Sequence, residues 1–228
     1  EEINIGLDTM VFFDDDKLNR EMIRISLPEV KVVDLPEDCS LYSKTLLALN
    51  DFNSLQITDE DRQKGEMYVA QRKRKEYESQ TTDINEYLSG MGMAVLIEKA
   101  NHFNIPRISQ LTLKTNQFNM TTRRYLEEDI IKFSKNDKFL VLAISAKDKF
   151  GDNGIIGAVI IEKKHNQWKI DTFLLSCRII GRRIEDVILA FIVKEAQKEK
   201  ASLITGEFIY TAKNVPSKDF YTQACFKL

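Results

Sequence analysis

The residues best suited to chemistry are gathered in one short segment of the second half of the chain. Residues 176–183 include one cysteine, one glycine and three arginines. They lie between a predicted strand and a predicted helix, where backbone N–H groups point outwards without partners. We expect a pyrophosphate or a phosphopantetheine phosphate to bind there, although the same pattern also occurs in solvated turns. The residues assigned to this phosphate site are Arg178, Gly181, Arg182 and Arg183.

Cys177 is the candidate catalytic residue of this segment. Positive charge and a helix start favour the thiolate form of a cysteine, which is the nucleophile, so Cys177 could carry an acyl group as a thioester. The alternative is that Cys177 is a small buried strand residue. Cys225 is expected in the core and Cys39 in a linker. These three cysteines have no paired spacing, which argues against a disulfide framework or a zinc site and favours the reducing cytoplasm.

Two further segments are dense in hydrogen-bonding side chains, and both could recognise a substrate. In residues 114–125, Thr121 or Thr122 is expected to cap the following helix, which explains part of that density. Residues 148–154 are explained equally well as a hairpin turn. The residues assigned to substrate binding are Lys114, Asn116, Gln117, Asn119, Arg123, Arg124, Asp152 and Asn153.

An acidic turn follows the first predicted strand. Asp14 and Asp15 could hold Mg²⁺, because hard cations prefer carboxylate oxygens. The alternative is an ordinary turn.

Composition limits the partners of the chain. The net charge is only -2 with 30% charged residues, so no overall field favours nucleic acid or an anionic membrane. The longest apolar stretches, residues 139–144 and 155–161, have the length of strands rather than of a membrane span. Because the chain opens with Glu1 and Glu2, we expect it to be part of something longer.

Hydrophobic periodicity predicts the elements that position these residues. Residues 1–38 are expected to form a strand, helix and strand that end in a linker, and 39–57 to be a further linker with a first element. A helix start is predicted at residues 58–61, leading into a polar helix whose basic run, residues 72–75, is expected to be solvated.

The second half is predicted to be richer in strands. Helices are expected at residues 84–89, 107–114 and 123–134. The predicted strands are residues 94–97, 139–146, 155–162, 170–176 and 202–209, with a helix over 184–199 before the last strand and a short one near Asp219. This order favours an α+β fold with a mixed sheet and one crossover helix.

The motifs occur in the order found in the FkbH-like family, which the sequence resembles over nearly its whole length. Residues 5–16, 20–21 and 27–30 resemble the last acidic motif of its HAD-type phosphatase half. The segments that resemble its GNAT-like C-terminal half are 58–68, 110–112, 114–119, 121–125, Asp148 with 150–154, 174–178 and 213–214.

The resemblance implies a GNAT-like domain over residues 58–228 that follows a HAD-like remnant. In that family a glyceryl unit from a phosphorylated intermediate ends as a thioester on an acyl carrier protein, in bacterial polyketide pathways. The resemblance makes Cys177 the acyl-accepting thiol. It places Asp14 and Asp15 near Mg²⁺ in the complete phosphatase domain, whose nucleophile lies outside this sequence, so no phosphatase activity is expected.

Three functions follow as hypotheses. The first is transfer of a glyceryl or related acyl unit to a carrier-protein thiol, with a phosphopantetheine thioester as the cofactor. The second is a conventional N-acetyltransferase that uses acyl-coenzyme A and needs no cysteine. The third is a carrier-protein docking module without catalysis.

Overall fold

The computed structural model describes residues 6–52, 64–81 and 83–227. The chain divides into two compact units after residue 57. The helix start predicted at residues 58–61 lies outside the described residues. In the part of the chain that is described, no helix is long and apolar enough to cross a membrane.

The first unit contains the predicted strand, helix and strand. Strands β1 (Val11–Phe12) and β2 (Lys31–Val32) pair in parallel, and helix α1 (Lys17–Ser26) connects them. Asp16 caps α1, because its carboxylate accepts a hydrogen bond from the Leu18 N–H at 2.8 Å. The predicted apolar face of α1 is exposed, with Leu18 78% and Ile25 81% accessible.

This unit extends past the predicted linker. Helix α2 (Tyr42–Leu47) and a short 3₁₀ turn at Asn50–Phe52 belong to it. The Lys31 ammonium lies 2.5 Å from the Asp51 carboxylate, which joins the later residues to β2. Residues 39–52 are therefore part of the first unit rather than a connection between units.

The second unit is built on one mixed sheet, which confirms the α+β class. Its strands run in the order β3-β5-β6-β7-β4, and β8 pairs with β7. All of these pairs are antiparallel except β7 with β8, which are parallel. The strand bounds are β3 Ala94–Lys99, β4 Phe118–Asn119, β5 Phe139–Asp148, β6 Gly151–Lys164, β7 Gln167–Leu175 and β8 Leu203–Gly206.

Helices cover both faces of this sheet. Alternate residues of β5 enter two different cores, with Leu142 and Ile144 in one and Val141 and Ala143 in the other. In the described part of the second unit, the α-helices are α3 Lys64–Ser79, α4 Ile84–Met91, α5 Ile105–Lys114, α6 Glu127–Ser134, α7 Ile184–Lys198 and α8 Phe220–Gln223.

Two helix groups supply the apolar partners of the two cores. Ile188 and Ile192 of α7 join the core that contains Leu142. Ile108 of α5 and Ile130 of α6 join the other core. Because α7 is also the crossover between the parallel strands β7 and β8, the segment before it lies at the carboxyl end of β7.

Two local predictions are wrong, and one strand was not predicted. Residues 118–119 form strand β4 against β7, which the sequence did not indicate. Residues 123–126 precede α6 instead of belonging to it. Thr121 does not cap α6, since its hydroxyl donates to the Asp171 carbonyl at 2.9 Å, and Thr122 lies in the left-handed region with φ 53°. Asp129 holds the helix start instead, by accepting from the Leu126 N–H at 3.1 Å.

The basic run 72–75 is only partly solvated. Arg72 is exposed, but the Arg74 side chain is 2% accessible and pairs with Asp148, at the end of β5. The hairpin predicted over residues 148–154 is present, with its turn at Lys149 and Phe150.

Candidate active site

Cys177 lies just beyond the end of strand β7. Ser176 continues the sheet, since its N–H donates to the Ile156 carbonyl at 2.7 Å, and a 3₁₀ turn over Cys177–Ile179 follows. The Ile179 side chain enters the core, whereas Cys177 is exposed. The alternative of a small buried strand residue is therefore wrong, and the thiol can be reached from solvent.

The thiol borders a polar cavity of about 340 Å³. The cavity lies between helix α5, the turn that follows it and the end of β7. Its lining contains two cationic side chains and no carboxylate, so its charge is positive. The lining residues are Arg107, Gln110, Leu111, Lys114, Thr115, Asn116, Gln117, Ser176 and Cys177.

Helix α5 presents one polar face to this cavity. Arg107, Gln110 and Lys114 follow one another at helical spacing, while Ile108 and Leu111 anchor the helix in the core. Lys114 was predicted from the sequence, whereas Arg107 and Gln110 were not. The sequence did contain a signal for them, because Arg107, Gln110 and Lys114 are spaced by three and four residues and so lie on one face of the helix.

The fold therefore joins Cys177 to three of the predicted substrate-binding residues. Lys114, Asn116 and Gln117 lie about sixty positions earlier in the sequence, yet all three line the same cavity. No other residue assigned to substrate binding lines it.

Arg124 holds two residues of the cavity lining, Thr115 and Asn116, through hydrogen bonds. Its guanidinium donates to the carbonyls of Thr112 and of Thr115, the second at 3.0 Å, and to the Asn116 side-chain oxygen. These bonds satisfy carbonyls at the end of α5 that lack helical partners. Burial lowers the pKa of Arg124. Arg124 is thus placed to hold Asn116 rather than to face the cavity.

Asn119 and Arg123 are used within the protein. Asn119 is completely buried, and its amide donates to the Thr115 carbonyl at 3.1 Å and accepts from the Thr122 N–H at 2.9 Å. Arg123 forms ion pairs with Asp171 at 2.7 Å and Glu207 at 2.9 Å.

The three arginines assigned to the phosphate site do not form one cluster. Arg178 donates to the Asn153 carbonyl at 2.7 Å. Arg182 is buried and donates to the Gln71 side-chain oxygen at 3.3 Å. Arg183 is exposed and pairs with Asp186 at 3.0 Å. Their guanidinium groups therefore have three separate sets of partners.

A second cavity, of about 650 Å³, lies at the start of α7. Gly181 and Arg183, two residues of the predicted phosphate site, line this cavity. Its lining also contains the carboxylates of Glu185, Asp186 and Asp219. Burial raises the pKa of Glu185, and one of its carboxylate oxygens has no hydrogen-bond partner. Three carboxylates beside one arginine make this cavity less favourable to a phosphate than a bare helix start is.

The remaining assigned residues lie away from the polar cavity. Asp152 accepts from the Gly154 N–H at 2.6 Å within the hairpin, and Asn153 is buried beside Asp148. In the first unit, Asp14 accepts from the Asp16 N–H at 2.8 Å, and Arg20 donates to the carbonyls of Asp14 and Asp15. No group of three or more His, Cys, Asp or Glu among the described residues could hold a metal ion.

The other two cysteines are both exposed. The expectation that Cys225 belongs to the core is therefore wrong. It follows helix α8 in a left-handed conformation with φ 63°. Neither Cys39 nor Cys225 lines the cavity of Cys177.

No protein-family model matches the sequence, and a comparison with curated proteins finds no match. Among solved structures, the Escherichia coli ribosomal-protein-S18-alanine N-acetyltransferase aligns at 10% identity and TM-score 0.45, over 59% of this chain and 78% of that one. A GNAT family acetyltransferase from Staphylococcus aureus aligns at 15% identity and TM-score 0.39, over 51% and 88%.

A third structure is AAC(6')-Iy in complex with the bisubstrate analog CoA-S-monomethyl-acetylneamine. It aligns at 10% identity and TM-score 0.44, over 59% of this chain and 92% of that one. These are likenesses of fold, and they assign neither a substrate nor an activity.

Proposed function

We propose that the second unit is an acyltransferase domain that passes a small acyl unit, such as a glyceryl unit, to the thiol of an acyl carrier protein. This is the activity implied by the resemblance to the GNAT-like half of FkbH-like proteins. The observation that supports it best is that the exposed Cys177 lines the same cavity as Arg107 and Lys114.

The chemistry needs two exchanges at one carbonyl carbon. The Cys177 thiolate attacks the carbonyl of an acyl thioester or acyl phosphate donor, the carbonyl–sulfur or carbonyl–oxygen bond breaks, the donor leaves as a thiolate or a phosphate, and a thioester remains on Sγ. The thiolate of the phosphopantetheine arm of the carrier then attacks the same carbonyl. The bond to Sγ breaks, and the Cys177 thiolate is regenerated.

The cavity lining suits these steps. Negative charge develops on the carbonyl oxygen in each attack, and the cations of Arg107 and Lys114 can stabilise it. The amides of Asn116 and Gln117 can bind hydroxyl groups of the acyl unit. A volume of about 340 Å³ is near the lower end for ligand cavities, which favours a short acyl unit.

The metal implied by the resemblance belongs to a complete phosphatase domain. Asp14 and Asp15 are the residues that would contribute to it, but they do not form a three-ligand group among the described residues.

A coenzyme-A-dependent N-acetyltransferase is the second candidate. The cavity at the start of α7, with Gly181 and the exposed Arg183, is the observation that favours it. Acyl-coenzyme A would bind its phosphates there and transfer the acyl group directly to an amine. Three carboxylates in the same lining make this candidate the weaker one.

Intact-protein mass spectrometry tests the proposal. The protein is incubated with glyceryl-loaded or acetyl-loaded carrier protein, and the Cys177→Ala variant is compared with a matched Cys39→Ala control. A mass gain that is lost only in Cys177→Ala supports the proposal. Acyl transfer that persists undiminished in Cys177→Ala supports direct transfer, and carrier binding without any acylation supports a docking module. Either of these two results overturns the covalent role.

A further inference from the structure

Asp148 is the centre of a buried polar network behind the segment that carries Cys177. Its side chain is 0% exposed, and it accepts from Arg74 Nε at 2.7 Å and Nη2 at 2.9 Å. The Phe150 N–H donates to it at 2.9 Å. Burial by itself would raise the pKa of Asp148, but hydrogen bonds from Arg74 and Phe150 hold the pKa below its ordinary value.

Residues 176–183 are attached to this network at two points. Arg178 donates to the Asn153 carbonyl at 2.7 Å, and the Asn153 amide lies 3.4 Å from the Asp148 carboxylate. Arg182 Nη1 lies 3.8 Å from Asp148 Oδ2, and the Arg182 side chain is only 7% exposed. Cys177 therefore directly precedes Arg178, the first attached residue, and lies five positions before Arg182, the second.

The backbone of this segment needs such attachments. Gly181 has φ 85° and Arg183 has φ 58°, so a non-glycine residue is held in the left-handed region. That conformation is sterically unfavourable for a residue with a side chain. It persists where surrounding contacts impose it, and here those contacts are made by Arg178 and Arg182.

Arg182 is the weaker member of the network. Two buried guanidinium groups, those of Arg74 and Arg182, share one carboxylate. Arg74 makes the short bidentate contact, whereas Arg182 Nη1 is buried without a hydrogen-bond partner. If Asp148 loses its charge, Arg182 becomes a buried cation without a nearby carboxylate. Residues 176–183 then lose the contact that Arg182 makes with Asp148.

We propose that Asp148 and Arg182 are positioning residues that fix the Cys177 thiol at the mouth of the cavity lined by Arg107 and Lys114. This inference rests on the function proposed for Cys177. Neither Asp148 nor Arg182 lines that cavity, so both act through residues 176–183. Helix α3, which carries Arg74, is coupled to the thiol through the same carboxylate.

The test is a ratio of two alkylation rates at Cys177. Iodoacetate is an anion and iodoacetamide is its neutral analogue, so a thiol beside two cations favours iodoacetate. A change in the intrinsic nucleophilicity of the thiol alters both rates and largely cancels in the ratio. Unfolding would also lower the ratio, so only variants that circular dichroism shows to be folded are compared. Peptide mass spectrometry separates Cys177 from Cys39, which is exposed in the other unit and serves as an internal reference.

Arg182→Gln and Asp148→Asn are expected to lower the ratio at Cys177 by about three- to tenfold, because the thiol leaves the cationic cavity. The ratio at Cys39 stays constant. Arg72→Gln is the matched control, since Arg72 is an exposed residue of α3. If Asp148→Asn does not fold, the Arg182→Lys variant provides the test. Lysine keeps the positive charge but lacks the planar guanidinium, so the alkylation ratio at Cys177 should fall less than in Arg182→Gln.

An unchanged ratio at Cys177 in the folded Arg182 variants overturns the inference. This result is separate from the fate of the proposed function, which depends on acylation of Cys177. Acyl transfer that survives Cys177→Ala would refute the proposed function while leaving the alkylation ratio as measured. A normal acyl transfer with an unchanged ratio would refute only the positioning role.

Discussion

Arg74 and Asp148 form a bidentate ion pair in which neither side chain is more than 2% exposed, although 74 positions separate them in the sequence. The pair joins helix α3 to the hairpin between β5 and β6. Arg74 also donates to the Gly151 carbonyl at 3.3 Å, on the other side of the hairpin turn. A basic run with the pattern of a solvated surface thus contains one of the most buried charges of the second unit.

Replacing Arg74 should strongly destabilise the second unit. Arg74→Gln leaves the Asp148 carboxylate buried without its main partner, and breaking a buried pair in this way costs roughly 3–5 kcal/mol. Urea unfolding followed by circular dichroism measures the change. Arg72→Gln, on the exposed side of the same helix, should change the free energy of unfolding by less than about 0.5 kcal/mol. An equal decrease in the free energy of unfolding of Arg74→Gln and Arg72→Gln would contradict the role of the buried ion pair.

Stability should also fall at acidic pH through Asp148. Because its pKa is lowered in the folded state, its contribution is fully present above the unfolded value of about 4 and is lost as the pH falls through the folded value. Asp148→Asn should therefore be less stable than the wild type at pH 7, with a difference that narrows below about pH 4.

Thermal unfolding between pH 7 and pH 2.5 measures this difference. The measurement is repeated in 0.5 M salt, which screens exposed pairs such as Arg24 with Asp34 but not a buried one. A difference that stays constant over the whole pH range would show that Asp148 is not the titrating group.

Lys114 should matter for acylation and not for folding. It is exposed at the end of α5, and Lys114→Gln removes one of the two cations that line the cavity. We expect the rate of Cys177 acylation to fall roughly 10- to 100-fold, because the carbonyl oxygen loses a cationic partner. Lys132→Gln on α6, which is also exposed, is the control. A fall of the same size in both variants would point to a general loss of surface charge.

Asn214 should contribute strongly to the stability of the second unit, because it ties residues 209–214 to strand β4. It is completely buried, and its amide donates to the carbonyls of Asn119 and Ile209, both at 2.9 Å, while its oxygen accepts from the Thr211 N–H at 2.8 Å. Asn214→Ala leaves these backbone groups unsatisfied, at roughly 1–3 kcal/mol for each buried group.

Urea unfolding again provides the measurement, with the exposed neighbour Lys213→Ala as the control. The Asn214 variant should unfold at clearly lower urea, and the Lys213 variant at the wild-type concentration. If the Asn214 variant keeps the wild-type midpoint, water must reach these carbonyls, and the strand β4 is less firmly held than the hydrogen bonds indicate.

Local patterns were sufficient to predict most helices and strands of the second unit. The long apolar strands β5, β6 and β7 are marked by their β-branched residues, and α7 by apolar residues at helical spacing. Strand β4 was missed because it has only two residues, and its pairing partner lies more than fifty positions away. So short a strand has no periodicity of its own.

The candidate site was predicted in part. Cys177 and Lys114 were chosen for their residue types, and the fold places both at one cavity. Arg107 and Gln110 were missed because a polar helix face has the same pattern whether it meets solvent or a cavity. Asn119 and Arg124 were assigned to a substrate although their hydrogen bonds go to the backbone of α5 and its following turn.

The sequence by itself determined the α+β class, the order of the main elements and the residue types available for chemistry, because these depend on periodicity and composition within short windows. Only the tertiary structure decided which polar residues meet. The partners of Arg74, Arg178 and Arg182 lie on other elements, and a guanidinium can satisfy a buried carboxylate or bind a ligand with the same donors. Packing chooses between these uses, since a buried charge must find its partner before the fold is stable.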